Sequence, residues 1–235
     1  MSVRLQDFTD KKERMAAIMN LPKAPYIEDA PESFDPFEAV AVEMHDGAVT
    51  NPDAQYPALG TVALSTCICV VAHNPITKAT GLVHIVSDGV EEYPSPDSDD
   101  SLIHMLNGVK GGTDTELEVR LVGAHMGGEM QNGILNVIMD TLSEYDAVIL
   151  SADVKGKAGP KDVAVDAAHW GEGLVRGSVD MVDFMNDPQT GGMVEMIHQR
   201  SAVVDLSNMV EIPAKDSALV YNSSNSDDLD YQPEI

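Results

Sequence analysis

The sequence predicts an α/β or α+β domain, and three observations carry that reading. Between residues 39 and 155, valine- and alanine-rich runs of strand length alternate with segments of helical apolar period. Hydrophobic residues make up 43% of a 235-residue chain, enough for a sizeable core. There is no internal repeat, and neither GEMQNG nor HMGGEM has the spacing of a dinucleotide or Walker phosphate loop.

The elements follow in order. Residues 1 to about 20 read as a helix, with Asp10 placed to cap it and Met15, Ile18 and Met19 on one stripe. Residues 21–38 are rich in proline and acid and read as an extended linker, so 1–38 form a helix-plus-linker unit. The runs AVAVEMH and TVALSTCICVVAH read as strands, with a turn at Asp46-Gly47 between them. A second turn at Asn74-Pro75 separates the strand carrying Cys67 from one ending near His84. After the polar loop 91–101, residues 98–109 read as a helix capped at Ser98 or Asp99, with Leu102, Ile103 and Leu106 inward. ELEVRLVGA (116–124) is a strand and AHMGGEMQN a loop. Residues 133–145 form an amphipathic helix through Ile134, Val137, Ile138 and Leu142. AVILSADV is a buried strand, and KGKAGPKD a loop. Beyond Val163 the signals are mixed, with strands expected around MVEMIHQ and SAVVDL; residues 39–215 form the main domain with a C-terminal extension. The tail 216–235 is polar and acidic and is expected to be poorly ordered.

Charge and cysteine usage narrow the function. The formal net charge is -25, from 39 acidic and 14 basic side chains, which disfavours nucleic acid and anionic lipid. No run approaches the roughly 18 apolar residues of a membrane span, and the N-terminus lacks a secretory apolar stretch. The expectation is a chain that is cytoplasmic in the producing cell, or exported without a cleaved signal. Cys67 and Cys69 are the only cysteines, too few for a structural zinc site and strained as a disulfide. The seven histidines show no His-x-x-x-His spacing, so no metal site is expected. Asp153 at a strand end and His125 in a glycine-rich loop are weak candidates for a pocket wall.

Cys67 and His84 are the candidate chemistry. A thiol is a strong nucleophile only as thiolate, and a neighbouring imidazole is a common means of forming one. Read bare, a strand cysteine is usually just a small core hydrophobe, and His84, among Leu82, Val83, Ile85 and Val86, fits a satisfied buried histidine. Cys69, two residues along the same strand face, reads as packing.

The segment resembles the CheD family of chemoreceptor glutamine deamidases. In that family a threonine precedes Leu-Gly-(Leu/Thr)-Gly-Ser-Cys, an apolar strand, an Asp-Pro turn and Gly-x-x-His. Here Thr61 stands six residues before Cys67 and His84 seventeen after it, with Asn74-Pro75 at the turn. RLVGAHMGGEM and GILNVIMDTLSEYDAVILSADVKG echo later family segments, so the resemblance spans about residues 55–160. The family's Gly-Ser is Ser65-Thr66 here, and Leu64-Ser65-Thr66-Cys67 also resembles the Leu-Ser-Gly-Cys motif of deamidating bacterial toxins. Ile85-Val86-Ser87-Asp88 replaces Met-Leu-Pro after the histidine. About 50 extra N-terminal residues and a long C-terminal extension are further departures.

The resemblance implies a layered sandwich of mixed β-sheets packed together and flanked by helices. It implies a cysteine-dependent protein-glutamine amidohydrolase needing no metal or organic cofactor. Cys67 would be the nucleophile, His84 the base and Thr61 its orienter, with backbone N–H groups at Ser65 and Thr66 toward the oxyanion. The partner would be a protein carrying a reactive glutamine, whether a chemoreceptor or the target of a secreted effector or toxin. A CheD-like binding protein without activity is the alternative.

Overall fold

The computed structural model describes residues 2–27, 38–64, 67–86, 96–123, 129–154, 161–177, 206, 209, 210, 220 and 221. The described strands are β1 (Val3–Arg4), β2 (Tyr26–Ile27), β3 (Ala39–Ala41), β4 (Gly47–Thr50), β5 (Ala58–Leu64), β6 (Ile68–His73), β7 (Thr80–Ile85), β8 (Leu117–Gly123), β9 (Ala147–Asp153), β10 (Lys161–Asp166), β11 (Leu174–Gly177) and β12 (Val220–Tyr221). The described α-helices are α1 (Lys11–Met19), α2 (Pro96–Lys110) and α3 (Glu129–Glu144), with short 3-10 helices at Leu5–Asp7 and Ala167–Glu172.

Two mixed sheets form. The larger has the order β1-β9-β8-β6-β7-β4-β12 and the smaller β2-β11-β10-β5-β3. Its central strand β6 is buried along its whole length, as a strand covered on both faces must be. Alternation assigns the faces. Ile68, Val70 and Ala72 pack with Leu102, Leu106, Ile134 and Ile138 on the helical side. Cys69 and Val71 pack with Leu59, Leu64, Val163 and Trp170 between the sheets. The architecture is thus α/β: two packed mixed sheets, with helices over the outer face of the larger one.

Local chemistry explains the boundaries. The Asp10 side chain accepts from the Lys12 and Glu13 amides at 2.7 and 3.0 Å, so α1 begins where its cap predicts. Arg14, buried in α1, pairs with Asp140 of α3 at 2.5 Å. At the β6–β7 turn, Asn74 accepts from Ile76 and Thr77 amides through Oδ1. Its Nδ2 donates to Val109 O at 3.0 Å, Lys110 O at 3.2 Å and Thr113 Oγ1 at 2.9 Å. An ionised aspartate has no proton to offer those carbonyls, which accounts for asparagine at this turn.

The structure corrects several expectations. TVALSTCICVVAH is not one strand: it breaks after Leu64, so Thr61 lies in the smaller sheet and Cys69 in the larger. The turn before β4 falls at Met44-His45, with His45 at φ 71, and Gly47 already belongs to β4. Ser98 lies within α2, at its third position; its Oγ accepts from the Val86 amide at 3.1 Å and lies 3.1 Å from His45 Nδ1. In α2 the fully buried apolar side chains include Leu102, Met105, Leu106 and Val109, while Ile103 is half-buried. α3 starts at Glu129, inside the expected loop, and buries Leu135 and Met139 while Val137 is half-buried.

The chain ends join the sheets. β1 pairs with β9, β2 with β11, and Val220–Tyr221 of the expected loose tail with Ala48 and Gly47 of β4. Lys161 and Asp162, expected in a loop, open β10. Strands expected at MVEMIHQ, and at SAVVDL up to residue 205, lie outside the described residues, as do Ser65, Thr66 and His125.

Candidate active site

The break between β5 and β6 sends the chain from one sheet to the other and superposes Thr61 on His84. Thr61 Oγ1 and His84 Nδ1 are 2.8 Å apart, a hydrogen bond that crosses the sandwich. Each residue is 1% exposed. His84 Nε2 is buried and has no hydrogen-bond partner among the described residues. An imidazole placed this way is held neutral: burial first, and the neighbouring His45 second, depress its pKa from 6.5 to about 4.

The sulfurs share the imidazole's side of the larger sheet. His84 stands opposite Cys69 in the antiparallel β6–β7 register, and directly opposed residues project to one face. Cys67 and Cys69 both belong to the cluster packed between the sheets, and neither forms a disulfide. Cys69 is fully buried and burial pushes its thiol pKa upward, the condition of an inert core sulfur. Cys67 lies just ahead of β6, 7% exposed.

A cleft of about 470 Å³ reaches this layer, with Thr61 and His84 on its floor. It opens where Val42–His45 leave the side of β5; β3 pairs with β5 only from Ala39 to Ala41, and Val42 N–H still donates to Gly60 O at 2.8 Å. Its walls are mainly apolar, among them Val62, Leu206 and Met209. Cys67 is not among the lining residues.

Two supports of this geometry escape a reading by motif. Ala63 takes a left-handed φ of 60 at the end of β5, and its N–H donates to Asp162 Oδ1 at 2.7 Å. Asp162 is 6% exposed, and the β5–β10 register shifts between Lys161 and Val163. The buried carboxylate stabilises a kink that an alanine adopts unwillingly. Burial raises the Asp162 carboxyl pKa, and the Ala63 bond partly opposes this. Gly123 has φ 121, and a Cβ there would overlap the Cys67 carbonyl oxygen. The small residues ending ELEVRLVGA were the only sequence sign of that approach.

No family model matches the chain. Over 144 residues it is 24% identical to an uncharacterized protein of Rickettsia conorii, a match covering 55% of this chain and 74% of that protein.

A second polar group fills the far end of the sandwich. His73 stacks on Trp170 with centroids 4.8 Å apart, and Arg120 lies 4.2 Å above the same indole. Trp170 Nε1 donates to Glu118 Oε2 at 2.6 Å, Arg120 Nη2 to Trp170 O at 2.9 Å, and His73 Nδ1 lies 2.8 Å from Thr80 Oγ1. Burial lowers the His73 pKa to about 4. Asp153 joins the rim of the sandwich, accepting from Tyr26 Oη at 2.8 Å and lying 3.2 Å from Lys23 Nζ. It is a link between the sheets, and it does not line the cleft.

Proposed function

We propose that the chain is a cysteine-dependent protein-glutamine deamidase, with Cys67, His84 and Thr61 as nucleophile, base and orienter. The observation that supports this best is the cross-sheet Thr61–His84 hydrogen bond, which leaves an unpartnered Nε2 in a buried layer shared with Cys67. With Nδ1–H donated to Thr61 Oγ1, Nε2 carries the lone pair and accepts the thiol proton. The thiolate attacks the glutamine carboxamide carbon. The proton passes from Nε2 to the departing nitrogen, and the C–N bond breaks to give ammonia and a thioester. Nε2 then takes a proton from water as its oxygen attacks the thioester carbon. The C–S bond breaks, glutamate is released, and the proton returns to sulfur. Backbone N–H groups at Ser65 and Thr66 are assigned to the oxyanion by resemblance. No metal or organic cofactor enters this reaction.

Two features favour a second reading, a binding protein that keeps the fold without the chemistry. Cys67 is absent from the cleft lining, and Ser65-Thr66 replace the family's Gly-Ser. Two protein substrates suit this chemistry: a chemoreceptor helix, or a foreign protein met by a secreted effector.

Incubation with candidate protein substrates, read by ammonia release and by a mass gain of about one dalton, tests the reading. A thiol-reactive glutamine analogue should label Cys67 in the wild type. We expect Cys67→Ala to abolish labelling and ammonia release and Cys69→Ala to retain both. Labelling that survives Cys67→Ala, or equal loss in two folded variants, sinks the assignment.

A further inference from the structure

The cleft carries more apolar surface than a glutamine amide needs. Met44 is 61% exposed and Val62 42%, so two of the three large apolar side chains exposed among the described residues stand at this one opening. Across from them sit Leu206 and Met209, far along the chain. Leu206 is fully buried against the outer face of the smaller sheet, and Met209 is only partly covered. A Cβ on Gly60 would overlap the Met209 sulfur, so glycine there admits the methionine.

Val210 next to it adds itself to β3. Its N–H donates to Ala39 O at 2.8 Å, and its carbonyl accepts from Ala41 N–H at 3.1 Å. Among the described residues it forms one isolated bridge, which is a weak hold on a sheet edge. A sheet edge held by one bridge beside apolar sockets is, once that bridge opens, the geometry by which extended peptides are bound, with main-chain pairing for affinity and alternate side chains for selection. Methionine on such a surface adapts to side chains of differing shape.

We propose that this opening binds an extended segment of the protein substrate bearing apolar side chains next to the reactive glutamine, and that Met209 and Val210 hold its place until it arrives. Leu206 is the fixed wall. The β3 edge supplies the pairing, and Met44 and Val62 are the side of the socket that the chain itself leaves uncovered. Selection therefore acts on an apolar residue flanking the glutamine, and Met209 and Val210 compete with substrate.

The idea rests on the deamidase reading only for the identity of the arriving segment, and its tests do not read amide hydrolysis. In wild-type protein, native-state hydrogen exchange should show the Val210 and Ala41 amides exchanging at least about 100-fold faster than the amides of β10 in the same sheet. Protection equal to that of β10 would make the segment permanent core and overturn the proposal. A fluorescent peptide of sequence 204–212 serves as the probe in the full chain. Val210→Pro removes the donor to Ala39, and we expect it to bind the probe at least about tenfold more tightly than wild type does. Equal affinity in the two proteins would overturn the proposal. So would equal binding of a peptide with aspartate at its Met209 position. The exchange measurement needs no substitution, so it decides the matter even if Val210→Pro does not fold.

Discussion

Thr61→Val isolates the cross-sheet hydrogen bond. Valine keeps the branched shape and replaces only the hydroxyl, so the substitution leaves His84 Nδ1 without its 2.8 Å partner in a layer where both residues are 1% exposed. A net hydrogen bond contributes about 1 kcal/mol, and a polar nitrogen stranded in the interior adds about 1 kcal/mol or more. We therefore expect a loss of about 2 kcal/mol in urea unfolding at neutral pH. Nitrogen chemical shifts of the imidazole report the second effect. Wild type should show His84 in the tautomer protonated at Nδ1, and the variant should lose that preference. The rate of Cys67 alkylation should fall with it, because an imidazole no longer held by Thr61 presents its basic nitrogen less often. A stability change below about 0.5 kcal/mol, with the tautomer unaltered, would refute the claim that this bond orients the ring.

Three other outcomes follow from the same geometry. Burial lowers His84 and His73 from 6.5 to about 4, so the unfolded chain takes up protons that the folded chain refuses. Their stabilising contribution is complete above about pH 6.5 and is lost as pH falls through about 4, on the order of 3 kcal/mol for each histidine as an upper bound. Urea midpoints followed by Trp170 fluorescence should decline across that window, and a flat profile would contradict neutral buried imidazoles. Gly123→Ala should cost about 3 kcal/mol through its left-handed φ and the overlap with the Cys67 carbonyl, and it should alter Cys67 alkylation more than Gly112→Ala does. Gly112, at φ 70 with open space around it, meets only the backbone part of that penalty. Asp162→Asn should retain an acceptor for Ala63 N–H and keep stability within about 1 kcal/mol of wild type, whereas Asp162→Ala should lose about 2 kcal/mol in the same assay.

Local signals told the truth where they were local. Asp10 caps α1 as its position suggests, Asn74-Pro75 makes the β6–β7 turn, and the runs at 117–123 and 147–153 are strands. Thr61 and His84, which the resemblance alone pairs, do meet. What stayed hidden was everything decided between distant segments. Nothing in TVALSTCICVVAH says that its two halves belong to different sheets, because both halves are apolar and the break holds only small and polar residues. Ser98 carries the chemistry of a helix cap, yet its hydroxyl accepts from Val86 inside the first turns of α2. Asp162 lies in a lysine-rich run that reads as a loop, and its role appears only when Ala63, 99 residues away in sequence, is brought to its carboxylate. The stack of His73, Trp170 and Arg120 likewise joins β6, β8 and the 3-10 helix after β10, with no spacing to announce it.

The crossing from β5 to β6 has a consequence for the order of assembly. Thr61 and His84 are supplied by separate sheets, with only three residues, 65–67, between the strand of one and the strand of the other. A partly folded chain in which the larger sheet and its helices have formed can hold His84 and the sulfurs but has nothing to orient the ring. The imidazole acquires its partner only when the sheets close on one another. Reactivity at this site would then serve as a clock for closure, rising together with global protection rather than with the growth of secondary structure.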